Sequence, residues 1–311
     1  MLKQVMDLFE ILDTPFANGY DTAEYIKKQT NLEDIEITRI KGAKGSTDFI
    51  KILIPGSEGK SKGGKAPTIG IIGRLGGLGA RPELTGFVSD GDGALAALSA
   101  GLKLGIMNKN GDVLKGDVIV STHICPNAPT LPHKPVPFMD SPVDIQTMND
   151  VEVVSEMDSV LSIDTTKGNV IITNKGISIS PTVKEGYILK TSDNLLEIMM
   201  RVTGKLPNVF AITQQDITPY GNDLHHINSI LQPAVATNAP VVGIAISTEV
   251  AVAGCATGAT HITDVELAAR FAVEVAKDFT EGKCEFYDKK EFAKIISQYG
   301  SMKRFQSKDV N

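Results

Sequence analysis

The chain has no tryptophan, 5% aromatic residues, three cysteines and five histidines in 311 residues. Few rings leave little material for stacking on bases or sugars. Lys+Arg number 31 against 37 Asp+Glu, a formal net charge of −6. The concentrated basic charge that phosphate backbones demand is therefore missing, and no nucleic-acid partner is expected. No apolar run approaches the roughly 20 residues that span a bilayer. The N-terminal stretch carries acids inside its apolar pattern, unlike a secretory leader. We expect no membrane partner and a cytoplasmic location. An odd number of widely spaced cysteines suits free thiols in a reducing compartment. What is present, 42% hydrophobic and 22% charged residues, is an ordinary globular composition with enough chain for a sizeable core.

Periodicity supplies the elements. Residues 1–34 read as a helical N-terminal segment of two helices that packs on the main body, the second starting near Asp21 with Glu24 as its capping-box partner. Strands are expected at 35–40 and 48–54, followed by a polar Gly- and Lys-rich loop at 55–67. Short continuous apolar runs at 68–73, 117–122, 159–164, 208–213 and 240–247 read as buried central strands. A further strand is expected at 85–89, and a hairpin at 170–172 and 177–180 turning at 174–176. Helices are expected at 94–106, 193–202, 223–231, 264–279 and 289–298. Residues 301–311 read as a loose tail. Apolar strands alternating with helices imply one α/β domain over 1–311, a three-layer α/β/α arrangement with a mixed, mostly parallel central sheet.

Three glycine-rich segments fail as nucleotide or calcium motifs. GSEGKS has Ile54 where a phosphate loop needs its first glycine. GRLGGLG, residues 73–79, lacks dinucleotide spacing and meets Pro82 where a helix would begin. SDGDGA lacks the acidic ligands of a calcium loop, and Ser89, Asp90 and Asp92 read more simply as helix caps. His225 and His226 are adjacent on an expected helix and cannot share a face.

Ligands of open α/β sheets sit at the carboxyl ends of strands. Arg74, Asp90, His123, Asp164 and Asp216 fall at such ends. Asp90, His123, Asp164 and His261 combine carboxylates with imidazoles, the donor set of a divalent metal such as zinc, as one ion or two. Arg74 and Arg81 suit a substrate carboxylate. Lys184 and Glu185 in SPTVKEGY read as a solvated charge pair with reach towards a ligand.

The order of these segments resembles the two-zinc aminopeptidase and aminoacylase-like peptidases. A strand-end aspartate precedes an Ala/Leu-rich helix in VSDGDGALAALSAGL, a later strand ends at Asp164 in SVLSIDTT, and GATHITDVELAARF places His261 and Glu266 before the last long helix. SDGDGALAAL, SPTVKEGY, QDITPYGN and GCATGATH also look like a conserved family without assigned function. The resemblance implies a zinc-peptidase (phosphorylase/hydrolase-like) architecture. It implies Asp90 as the bridging ligand, Asp164 and His261 as ligands of one metal each, and His123 as ligand or general base. Two departures stand out. Arg74-Leu75-Gly76 replaces the His-x-Asp of those peptidases, and His123 with Cys125 replaces their Glu-Glu pair.

The leading expectation is metal-dependent hydrolysis of an amide bond in a small peptide or acylated amino acid. Two alternatives stay open. Cys125 and Cys255, each near a histidine in sequence, partly resemble the thiol pair of cofactor-independent amino-acid racemases. The fold could instead hold a small amino-acid-like ligand without turnover, through Arg74 and Arg81. A small-molecule or peptide substrate is the expected partner, with homo-oligomerisation left open.

Overall fold

A computed structural model describes residues 1–74, 86–132, 134, 137–168, 172–212 and 229–307. The chain opens with α1 (Leu2–Leu12) and α2 (Gly19–Thr30). The cap of α2 is Asn18 rather than Asp21. Its side-chain oxygen accepts from the Asp21 amide at 2.9 Å, which makes Asp21 the recipient of the cap. Strands β1 (Ile35–Gly42) and β2 (Gly45–Ile54) form a hairpin. Then come β3 (Ile69–Gly73), α3 (Asp92–Lys109) and β4 (Val118–Ile124). A small ribbon of β5 (Thr130–Leu131) and β6 (Phe138–Met139) precedes α4 (Ile145–Glu152) and β7 (Ser159–Thr166). The remainder is β8 (Gly176–Ile179), β9 (Thr182–Lys184), β10 (Tyr187–Leu189), α5 (Asp193–Thr203), β11 (Val241–Ser247), α6 (Ile262–Thr280) and α7 (Lys289–Tyr299).

Among the described residues the main sheet has nine strands, ordered β1-β2-β4-β3-β7-β11-β9-β10, with β8 also on β11. The sheet is mixed. Its parallel part is the centre, β4-β3-β7-β11. The N-terminal hairpin and the short strands from 176 to 189 add antiparallel pairs on both sides of this parallel centre.

Alternation along the central strands buries both faces. Ile69, Ile71, Val118, Val120, Leu161, Ile163, Val242, Ile244 and Ile246 enter the larger core with side chains of α1, α2, α3, α5 and α6. Ile72, Ile119, Val160, Val241 and Ala245 point the other way, under Met157, Phe210, Ile230, Leu231 and Ala234. Among the described residues that second cover is made of α4, a 3-10 stretch at Ser229–Val235 and loops. The helical N-terminal segment contributes Val5, Leu8, Leu12, Ala23 and Ile26 to the larger core.

Several expectations are corrected. Residues 208–213 form no strand among the described residues. Ile179 and Val209 make a single bridge, because β11 already pairs with β7 on one side and with β8 and β9 on the other. No strand covers 86–89, and Ser89–Gly91 is a 3-10 turn that leads directly into α3. β8 pairs with β11 rather than with 170–172, of which 170 and 171 lie outside the described residues. The expected helix at 223–231 lies largely outside them too, and 229–235 is a 3-10 segment holding Pro233. The tail is tied down as far as Ser307, whose amide donates to the Val235 carbonyl at 2.7 Å. Among the described residues no helix is long and apolar enough to cross a membrane.

Candidate functional site

The site is built by register. Ile72 is level with Ser121 on β4 and Ser162 on β7. Two residues on, where side chains return to the same face, stand Arg74, His123 and Asp164. The Arg74 amide continues the ladder, donating to the Ile163 carbonyl at 2.8 Å. Phe49 on β2 is level with His123 and its ring packs 5.3 Å away, and Ala245 on β11 is level with Asp164. Parallel pairing thus lines up a cation, an imidazole and a carboxylate at the carboxyl ends of three neighbouring strands.

Glu152, in the last turn of α4, joins two of them. One carboxylate oxygen accepts from Arg74 Nη1 at 2.6 Å and the other lies 2.6 Å from His123 Nδ1. All three side chains are at most 2% exposed. Among the described residues Nε and Nη2 of Arg74 are buried and without a hydrogen-bond partner, an arrangement that is costly unless something accepts from them.

The N-terminus of α3 closes the site from the other layer. A Cβ on Gly93 would lie 2.5 Å from the Ile163 carbonyl oxygen and 2.8 Å from that of Arg74, so only glycine lets the helix end dock on the ends of β3 and β7. This docking carries Asp90 and Asp92 into the interior. Lys167, just past β7, donates to Asp92 at 2.7 Å in a pair that is almost wholly buried. Asp90 is crossed by the 254–255 backbone. Its amide donates to the Gly254 carbonyl at 2.9 Å, and a Cβ on Gly254 would lie 2.3 Å from its carboxylate.

The carboxylates are held against ionisation. Burial pushes Asp90 up to about 7, reinforced by the charge of Asp92 and opposed by Lys167. Burial pushes Asp164 up to about 8, reinforced by Asp90 and opposed by the Thr165 amide and Arg74. Burial also raises Asp92, to about 6, with Lys167 opposing. Lys167 and Arg74 are engaged by Asp92 and Glu152, so among the described residues Asp90 and Asp164 have no ion pair of their own.

The remaining candidates fall elsewhere. His261 precedes α6 and lines a groove of about 460 Å³ with Lys175, Thr248 and Glu249, which Asp90 and Asp164 do not line. Its Nδ1 is buried without a partner. Glu266 is tied to Arg270 on its own helix. Arg81, Asp216, His225 and His226 lie outside the described residues. Cys125 and Cys255 do share one small cluster with Val88, Ala128 and Met139. Burial pushes Cys125 up to about 11, and burial with the charge of Asp90 raises Cys255. Neither environment favours a thiolate. Lys184 and Glu185 pair with each other at 2.8 Å at the β9–β10 turn.

Among the described residues no group of three or more His, Cys, Asp and Glu side chains is arranged to hold a metal ion. Both oxygens of Glu152 are engaged, one by Arg74 and the other by His123. Three members of the site, Asp92, Glu152 and Lys167, carried no functional signal in the sequence. Asp92 reads there as a helix cap, and Glu152 lies on a helix whose short pattern is not periodic enough to find.

The fold is similar to a solved structure described as the bottromycin maturation enzyme BotP. The match has a TM-score of 0.50 at 16% identity and covers 86% of this chain and 66% of that one. The chain thus spans just under two thirds of that protein's length. No curated protein matches the chain in sequence. The profile of a family of proteins of unknown function, DUF1177, matches residues 38–309, and the chain belongs to that family.

Proposed function

We propose that the chain binds a small zwitterion, a free amino acid or the N-terminal end of a short peptide, at the carboxyl ends of β3, β4 and β7. One observation carries this reading. Among the described residues, Nε and Nη2 of Arg74 have nothing to donate to. Beside them are two carboxylates, Asp90 and Asp164, with no ion pair to a described cation. A ligand with a carboxylate at one end and an ammonium at the other satisfies both deficits. The carboxylate accepts from Arg74 in a forked pair, and the ammonium lies between Asp90 and Asp164 and favours their ionised forms. His123 and Glu152 hold the guanidinium in place.

A second reading rests on the same two aspartates. Their raised titration also suits a single divalent cation, zinc included. That ion would support the amide hydrolysis expected from the resemblance to two-zinc peptidases, to which the likeness to BotP adds a shared fold alone. The thiol-racemase reading loses support from the raised titration of Cys125 and Cys255.

Calorimetry on chelator-treated protein separates these readings. Saturable binding of amino acids or dipeptides, abolished in Arg74→Met and in Asp164→Asn, supports the zwitterion site. Binding of zinc or manganese alone, lost in Asp164→Asn but kept in Arg74→Met, supports the second reading. Failure of every amino acid and dipeptide tested to bind at millimolar concentration overturns the first.

A further inference from the structure

The sheet face that carries Arg74, His123 and Asp164 holds a second polar row, two residues back on the same strands. Ser121 on β4 and Ser162 on β7 are level with each other across Ile72. Both are almost wholly buried, and among the described residues neither hydroxyl has a hydrogen-bond partner. Helix α4 brings a third such group. Asn149 stands three residues before Glu152, on the same side of the helix, and is 1% exposed. Among the described residues its side-chain oxygen and nitrogen both lack partners.

These groups belong to one region. Ser121 and Glu152 line one small cavity. The 3-10 stretch at Ser229–Val235 packs on both α4 and β7, and so spans from the helix of Asn149 to the strand of Ser162. Buried polar atoms without partners are rare in folded proteins. Here they adjoin Arg74, whose Nε and Nη2 are in the same condition. An α-carboxylate and an α-ammonium, taken up by Arg74 and the two aspartates, leave the neutral groups unmet.

We propose, on the zwitterion reading of the strand ends, that Asn149, Ser121 and Ser162 form a side-chain subsite for a neutral carboxamide, so that the ligand is an amino acid of the glutamine or asparagine kind. A primary carboxamide has an acceptor oxygen and a donor nitrogen. Asn149 meets it reciprocally, Nδ2 donating to the oxygen and Oδ1 accepting from the nitrogen, and a serine hydroxyl serves either atom. Ile72 offers apolar surface to the intervening methylenes. An ionised acid suits the subsite less well, because Glu152 and Asp164 stand near it and Arg74 is already shared between Glu152 and the α-carboxylate.

The test is calorimetry of the full-length, chelator-treated protein with glutamine, methionine and glutamate. Methionine has the length of glutamine without its amide. Glutamine is expected to bind at least about tenfold more tightly than methionine, the worth of one or two hydrogen bonds, and more tightly than glutamate. Asn149→Leu and Ser162→Ala should each shrink that preference while methionine binding persists. Asn149→Leu should also leave the urea midpoint of the ligand-free protein unchanged or raised, since it removes unmet polar atoms. A clearly lower midpoint would show the amide bonded within the protein and overturn its assignment to a ligand. Equal binding of glutamine and methionine, or a preference that survives both substitutions, overturns the subsite and leaves the zwitterion reading standing. Glutamate binding as tightly as glutamine overturns the choice of a neutral group. Failure of all three to bind at millimolar concentration, with every other amino acid and dipeptide, overturns the zwitterion reading and the subsite with it.

Discussion

Replacing Gly93 with alanine sets two forces against each other at the point where α3 meets the sheet. In a helix interior the change stabilises by about 1 kcal/mol, an upper limit for a residue in the first turn. Against it stands the contact. The new Cβ would lie 2.5 Å from the Ile163 carbonyl oxygen, where ordinary contact starts at 3.4 Å, a deficit of about 0.9 Å. Both oxygens it meets are backbone, so no side-chain rotation relieves the clash, and α3 must back away from the strand ends. Overpacking costs about 1–3 kcal/mol, and a clash this deep against backbone falls in the upper part of that range, about 2–3, so the net effect is a loss of about 1–2 kcal/mol. Urea denaturation at constant m-value reads it directly. The same displacement loosens the Ile163 carbonyl that holds the Arg74 amide and draws Asp90 and Asp92 away from Asp164 and Lys167. Amino-acid affinity should therefore fall along with stability. An alanine variant as stable as the parent, or more so, would refute the close docking of α3 and the geometry of the site with it.

Three further outcomes follow from the buried charges. Glu152→Gln keeps the shape of the side chain but leaves Arg74 without its counter-charge in a dry interior. A loss of about 3–5 kcal/mol in urea denaturation is expected, and a loss under about 1 kcal/mol would show that the guanidinium is solvated. Lys167→Met should destabilise more than the double change Lys167→Met with Asp92→Leu, because the single change strands a buried carboxylate while the double change removes both charges. A double variant weaker than the single one would argue against that pair. Finally, Asp92, Asp90 and Asp164 titrate at about 6, 7 and 8 in the folded chain, against 3.8 for a free aspartate. The folded state then binds more protons than the unfolded chain through this window. Their contribution is fully present below about pH 4 and is lost as pH rises through 6 to 8. Chelated protein should melt at a lower temperature at pH 8.5 than at pH 6, and Asp164→Asn should flatten the upper part of that fall. Equal melting temperatures for the parent would contradict the burial of the three carboxylates.

The central strands were legible because burial on both faces writes continuous apolar runs, as in TIGIIG and VVGIAIS, and no other element of similar length does so. The same signal misled at NVFAIT, where the run is apolar but β11 has no free side to offer it. Asp164 stood out because it follows an apolar strand run, and Asp90 because the residues before it read as a strand. Their neighbours did not. Lys167 looks like any loop lysine until Asp92 is folded against it, and Glu152 gains its role from His123 and from Arg74, 78 residues away in the chain. Pairings of that kind depend on register between strands and on the layer above them. Neither leaves a local mark.

Helix α4 spans only Ile145–Glu152, and Asn149 at its centre has both its side-chain oxygen and nitrogen buried without partners. A short helix that hides unmet polar groups is poorly anchored, so it ranks among the first parts of the molecule to open below the global unfolding barrier. Each opening withdraws Glu152 from Arg74 and His123 together. Hydrogen exchange should accordingly be faster in α4 than in α3. The charge state of the strand-end site is thus coupled to the motions of α4 rather than to those of the helices packed on the opposite face.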